Sequence, residues 1–288
     1  MHRLPKFLAF ILGSIFFIGS PVSQLHASQN VQTPLRVDLE LVLAVDISGS
    51  IDEEEARLQR KGYIDAFTSP EVLAAIRSGY HKRIAVTYFE WARYDYQIPI
   101  IPWTLIHDSE SARAFSSSLA ASPPGDGPRT SISGAIEYAI PMFSQNAFEG
   151  TRHVIDISGD GPNNSGSLVT MARDKGIRAG LTINGLPIIN NNPSRWGWPP
   201  MPNLDLYYRN CVIGGPRAFI IVAKDFKSFA HAIRKKLVLE IAGITQDRER
   251  RESFFLARIR PKSVALDRKS PPCDVGERMR AQRWIDDF

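Results

Sequence analysis

The stretch Val37-Asp-Leu-Glu-Leu-Val-Leu-Ala-Val45, followed at once by Asp46-Ile-Ser-Gly-Ser50, decides the fold. The first nine residues are rich in Val and Leu and read as a strand, and DISGS is a turn composition that ends it. A helix is expected next over 53–67, whose first turn carries acidic residues as the helix dipole favours. Two more strand-like runs, IAVTYFE at 84–90 and YDYQIPII at 94–101, stand too close together for a parallel crossover and are expected to pair as an antiparallel hairpin. Beyond them the pattern predicts helices over 109–121 and 131–145, separated by SPPGDGPRT at 122–130. A strand at 153–158 follows, then a helix over 167–175 closed by Gly176. Strands at 181–186 and 218–223 and a last helix over 225–242 complete the series. Strands alternating with helices specify an α/β sandwich with a mostly parallel sheet.

Composition fits this reading. The chain has 288 residues, 43% of them hydrophobic and 23% charged, enough apolar material for a packed core and too much for a disordered chain. Residues 1–27 combine Arg3 and Lys6 with an apolar run over 7–18 and a small residue, Ala27, a layout expected of a cleaved signal peptide. The run is shorter than the roughly 20 residues that span a bilayer. The mature chain is therefore expected to have no transmembrane segment and to be periplasmic or secreted. Residues 28–242 then form one domain and 243–288 a basic tail. Within the domain, 187–216 is an insert containing NNNPSRWGWPPMP, expected to lack regular structure.

The formal charge of +5 raises the question of nucleic acid. Arg3 and Lys6 account for two of those charges. The other three belong to 243–288, where 11 Lys or Arg face 8 Asp or Glu. The domain itself is balanced, so nucleic acid is not an expected partner. Cys211 and Cys273 are the only cysteines and, in an oxidising compartment, are expected to pair. The loop so closed is worth up to about 4 kcal/mol on the chain-entropy model.

In an open α/β sheet, ligands bind beyond the carboxyl ends of the strands. There stand Asp46, Ser48 and Ser50 after the first strand, Asp160 in Ser158-Gly-Asp-Gly161 after the strand at 153–158, and Thr130 at the end of the Gly/Pro loop. Two carboxylates and three hydroxyls form an all-oxygen set suited to a hard divalent cation, Mg²⁺ first and Mn²⁺ or Ca²⁺ as alternatives. Thr130 has a second reading, as N-cap of the helix after it. Asp156, inside a strand, is read as structural, with Arg152 or a backbone donor as partner, or as support for the metal. Asn163 and Asn164 shape their loop or support the ligands from behind, and Asp126 is an exposed turn residue or a neighbour of the rim. Trp91 and Trp103 read as core or edge packing. Trp196, Trp198 and Arg129 are candidates for contacting a partner.

DISGS, the later threonine and SGDG resemble the metal-ion-dependent adhesion site of von Willebrand factor A domains. EWARYDYQIPIIPWTLI at 90–106, RTSISGAIEYA at 129–139, RHVIDISGDGPNN at 152–164, YYRNCVIGGPRAFI at 207–220 and RKKLVLEIAG at 234–243 resemble a bacterial family of secreted proteins carrying this domain. The resemblance spans roughly 36–243. It implies a Rossmann-like, doubly wound sheet with one antiparallel edge strand, a metal at its rim and binding without turnover. The expected partner is a protein whose exposed Asp or Glu completes the metal coordination. An envelope glycan held by metal and insert tryptophans is an alternative, and a metal-dependent hydrolase a further one. No GxSxG, HExxH, GxxxxGKS/T or GxGxxG string is present.

Overall fold

The computed structural model describes residues 33–190, 199–243 and 268–286. The main sheet has five strands: β2 (Glu40–Asp46), β3 (Ile84–Trp91), β4 (Gln97–Ile106), β6 (His153–Gly159) and β7 (Thr182–Pro187). Their order is β4-β3-β2-β6-β7. All neighbours are parallel except β3 and β4, which form the expected antiparallel hairpin. Two short strands, β1 (Leu35–Val37) and β5 (Phe148–Gly150), pair in parallel beside it.

Helices cover both faces. One carries α1 (Glu53–Phe67), α2 (Pro70–Ser78), α3 (Ser109–Ala121) and α7 (Phe229–Ala242); the other carries α4 (Ile132–Ala139) and α5 (Val169–Arg178). Strand β2 shows why. Leu41, Leu43 and Val45 enter the first core and Val42 and Ala44 the second, and all are buried. Alternate side chains of a strand point to opposite faces, so a strand apolar at every position must be covered twice. Trp91 is fully buried, while Trp103 is half-buried and donates from its indole nitrogen to the Met142 carbonyl, 3.2 Å.

Several elements differ from the sequence reading. Helix α2 is absent from it, although Ser69 caps the helix and Pro70 occupies its first turn, an ordinary start signal. The segment 218–223 forms only isolated bridges: Gly185 donates to the Phe219 carbonyl and Ala223 to that of Pro187, so it runs along the edge of β7 as an irregular ribbon. Gly176 lies inside α5 instead of closing it, and Ala179 caps it. The last helix starts at Phe229, after a turn in which Ser228 and Asp225 bond each other. The insert is not wholly irregular, for α6 (Leu204–Tyr207) runs into a π-helical turn, Tyr208–Val212. The tail contains α8 (Val275–Asp286), joined to the insert by the Cys211–Cys273 disulfide. Among the described residues no helix is long and apolar enough to cross a membrane.

Asp156 is a structural residue, with a partner other than the one expected. Arg152 donates to the Glu240 and Ile241 carbonyls at the end of α7. Asp156 instead lies 2.6 Å from Lys236 Nζ, which also contacts Glu240, and all three side chains are buried. Asn184 donates to Glu240 at 2.8 Å and accepts from the Phe219 amide at 3.0 Å, tying the group to the edge ribbon. Burial, then Glu240, push the Asp156 carboxyl up to about 7 against the pull of Lys236. Removing the cation from such a group leaves buried charge uncompensated. Lys236→Met is therefore expected to lower stability by about 3–5 kcal/mol in urea denaturation near neutral pH. The loss should shrink as pH falls, because the carboxyls freed of Lys236 then take up protons.

Candidate metal centre

Strands β2 and β6 are adjacent and parallel, with Val45 opposite Ser158, so Asp46 and Asp160 leave neighbouring strand ends on one rim. The strand sequence reverses direction around this pair, β3 and β4 lying on one side and β6 and β7 on the other. That crevice is where open α/β sheets place ligands. The 122–130 loop is drawn to the same rim. Glu90, ion-paired with buried Arg60, accepts the Gly125 amide at 2.9 Å, and the Gly127 amide donates to the Ile47 carbonyl at 3.0 Å. A Cβ on Gly127 would sit 2.5 Å from that of Ala92, so a larger residue could not approach.

The five expected ligands do converge. Asp46 Oδ1 accepts the Ser48 amide at 2.7 Å; the Ser48 and Ser50 hydroxyls lie 3.3 Å apart; Ser50 donates to Asp160 Oδ1 at 2.6 Å; and Thr130 Oγ1 lies 3.3 Å from Ser48 Oγ. Thr130 does not cap α4. Ser131 does, accepting the Gly134 amide at 3.1 Å, which leaves the Thr130 hydroxyl for the rim. Asn163 and Asn164 hold the loops together: Asn163 Oδ1 accepts the Ser133 amide at 2.9 Å, and Asn164 exchanges two bonds with the Thr130 backbone, 2.8 and 2.9 Å. Asp126 and Arg129 are exposed, Arg129 with φ of 63° immediately before Thr130. Asp156 shares no hydrogen bond with this set. Trp196 and Trp198 lie outside the described residues.

The electrostatics are unbalanced. Asp46 is fully buried, and its Oδ2 accepts no hydrogen bond of good geometry. Burial first, and the Asp160 charge second, raise its carboxyl well above the usual range, with Ser48 and the Asp160 amide opposing in part. Burial likewise lifts Asp160 to about 6, against the Ser50 and Asn190 side chains that stabilise its charge. Among the described residues no three His, Cys, Asp or Glu side chains form a metal cluster, so any cation here relies on hydroxyls beside the two carboxylates. The donors fit a hard ion that retains part of its water. Asn190, which also donates to Glu55 at 3.2 Å, was not anticipated; its only sequence cue is its position just beyond β7.

The chain belongs to a family described as protein of unknown function (DUF1194), whose pattern matches residues 36–245. No curated protein matches it in sequence. Among solved structures it is similar to proximal thread matrix protein 1 from the mussel byssus, at 13% identity and a TM-score of 0.53 over 73% of this chain and 49% of that one. A von Willebrand factor type A protein from Catenulispora acidiphila gives 13% and 0.51 over 71% and 43%. The pilus adhesin SpaC from Lactobacillus rhamnosus GG gives 15% and 0.50 over 74% and 30%. The fold is thus that of von Willebrand factor A domains, and the chain spans less than half the length of each of these proteins.

A raised carboxyl holds its proton in the folded chain after the unfolded chain has lost it. Between the ordinary value of 3.8 and about 6, Asp160 therefore makes the metal-free protein less stable as pH rises. Millimolar Mg²⁺ is expected to raise the melting temperature at neutral pH. That gain should fade below about pH 6, where protons compete for the same oxygens. Thermal melts with and without Mg²⁺ across this range check it.

Proposed function

We propose that this chain is a non-enzymatic binding domain acting outside the cytoplasm, which holds a divalent cation, Mg²⁺ in the first place, through Asp46, Ser48, Ser50, Thr130 and Asp160. The observation that carries this is the buried, unbonded Asp46 Oδ2 beside a second buried carboxylate, with only neutral hydroxyls between them. Two like charges removed from water are costly unless a cation compensates them. Hydroxyls supply oxygen donors and leave much of the ion's positive charge uncancelled. The cation, when bound, supplies an open coordination position for an Asp or Glu carboxylate of a protein partner. The chain's own part is to hold five oxygens in place through the Asn163, Asn164 and Glu90 contacts.

Binding is favoured over turnover because the hydrogen-bonded set consists of carboxylates and hydroxyls tied to one another, with no histidine among the described members. The kinship in fold with an adhesin and a matrix protein agrees with it. The disulfide agrees with an oxidising location, periplasmic or secreted. A glycan partner leans on Trp196 and Trp198 and has no support among the described residues.

Isothermal titration of the purified chain with Mg²⁺ and Mn²⁺ is expected to show one site, lost in Asp46→Ala and weakened about tenfold in Thr130→Ala. Equal binding by wild type and Asp46→Ala would sink the assignment. Partner capture from envelope extract should be abolished by chelator and by Asp46→Ala alike.

A further inference from the structure

We infer that α8, held by the Cys211–Cys273 disulfide, braces the metal rim, with Glu277, Arg280 and Tyr207 as positioning residues. The consequence for the cation rests on the reading above; the brace itself does not.

Asn163 and Asn164 form the junction. Asn163 Nδ2 donates to Glu277 Oε1 at 2.7 Å and to the Ser167 carbonyl at 3.0 Å, and the Asn163 amide donates to the Tyr207 hydroxyl at 3.1 Å. Arg280 donates to the Asn164 carbonyl at 3.1 Å. A Cβ on Gly276 would stand 2.0 Å from the Asn163 carbonyl oxygen, so the first turn of α8 lies directly on this loop. On their other sides the same two asparagines hold Ser133 and Thr130. The chain of contacts thus runs from α8 through Asn163 and Asn164 to Thr130, with Asp160 three residues upstream in the same loop. The insert contributes from below. Tyr208 is fully buried, its hydroxyl accepts and donates no bond in the described structure, and it faces Gly159 from one side while Asp46 Oδ2 faces it from another, each 2.8 Å from where a Cβ would be.

The disulfide joins the two halves of the brace, beside polar contacts of the same stretch, Arg268 with Asp205 and Asn203 and Asn210 with Ser270. Cys211 lies in the π-helical turn that follows Tyr207, and Cys273 lies two residues before the start of α8. Helix α8 is short and rich in charge, and among the described residues Val275 at its start and Cys273 just before it pack against the second core. A short helix opens locally at lower cost once a covalent tether beside it is cut. Metal ligands positioned by outer contacts lose affinity when those contacts go.

The test compares oxidised protein, reduced protein and Cys273→Ser. In the metal-free state, amide hydrogen exchange at Ser133, Asn163 and Asn164 is expected to become about tenfold faster without the disulfide. Mg²⁺ affinity by titration should fall about tenfold. Glu277→Ala, with the disulfide intact, should act in the same direction, and Glu277→Gln should rescue it because its amide oxygen still accepts from Asn163. Should Cys273→Ser fail to fold, the Glu277 pair carries the test alone. Unchanged exchange in the reduced and Glu277→Ala proteins overturns the brace, and equal Mg²⁺ affinity with and without it overturns its consequence for the cation. If the wild type binds no Mg²⁺ or Mn²⁺, the metal reading falls, while the exchange data still decide whether α8 holds the loop.

Discussion

Burial of β2 on both faces makes its side chains alternate between two cores, and the helices must then divide between the faces to cover them. With β3 on one side of β2 and β6 on the other, the strand order turns at its end. The chain leaving that end is DISGS. A polar, hydroxyl-rich turn is thereby set at the crevice of the sheet, with its carboxylate withdrawn from water. Everything at the rim responds to that carboxylate: Ser48 bonds one of its oxygens, Asp160 stands beside it, and the 122–130 loop is pulled in by Glu90 and Ile47.

The molecule handles its buried charges in two ways. Under α7, Asp156 and Glu240 share Lys236, and Asn184 donates to the same Glu240 oxygen that Lys236 contacts, so one buried cation serves two carboxylates. At the rim, Asp46 and Asp160 stand beside each other among hydroxyls, amides and the Asn190 side chain, all neutral groups. Asp156 in β6 and Asp160 just beyond its end thus have different neighbours within four residues, the first paired with a lysine and the second standing beside another carboxylate. The contrast separates Asp156, which is tied to Lys236, from the hydrogen-bonded set at the rim.

Much of this was legible from residue pattern. The parallel alternation, the hairpin at 84–101 and the carboxylates and hydroxyls at strand ends follow from hydrophobic runs and from connections too short or long enough to cross over. What escaped did so for identifiable reasons. Helix α2 was masked by its closeness to α1, although Ser69-Pro70 announces it. The ribbon at 218–223 has strand composition but pairs on one side with few regular bonds, a matter of edge position. Arg152 was the nearer cation to Asp156 in sequence, yet α7 brings Lys236 to it across the core.

The supports of the site belong to the same class. Nothing local marks Tyr207, Tyr208, Glu277 or Arg280; the two tyrosines reach the rim through the second core, and Glu277 and Arg280 stand on a tail that a disulfide spanning 62 residues joins to the insert. The sequence alone determined the kind of chemistry: oxygen donors at strand ends, a domain balanced in net charge and two cysteines to join. Tertiary structure decided which carboxylate meets a lysine and which meets another carboxylate. That choice depends on which helix crosses beneath each strand end, and such a contact is set by packing between residues distant in the chain.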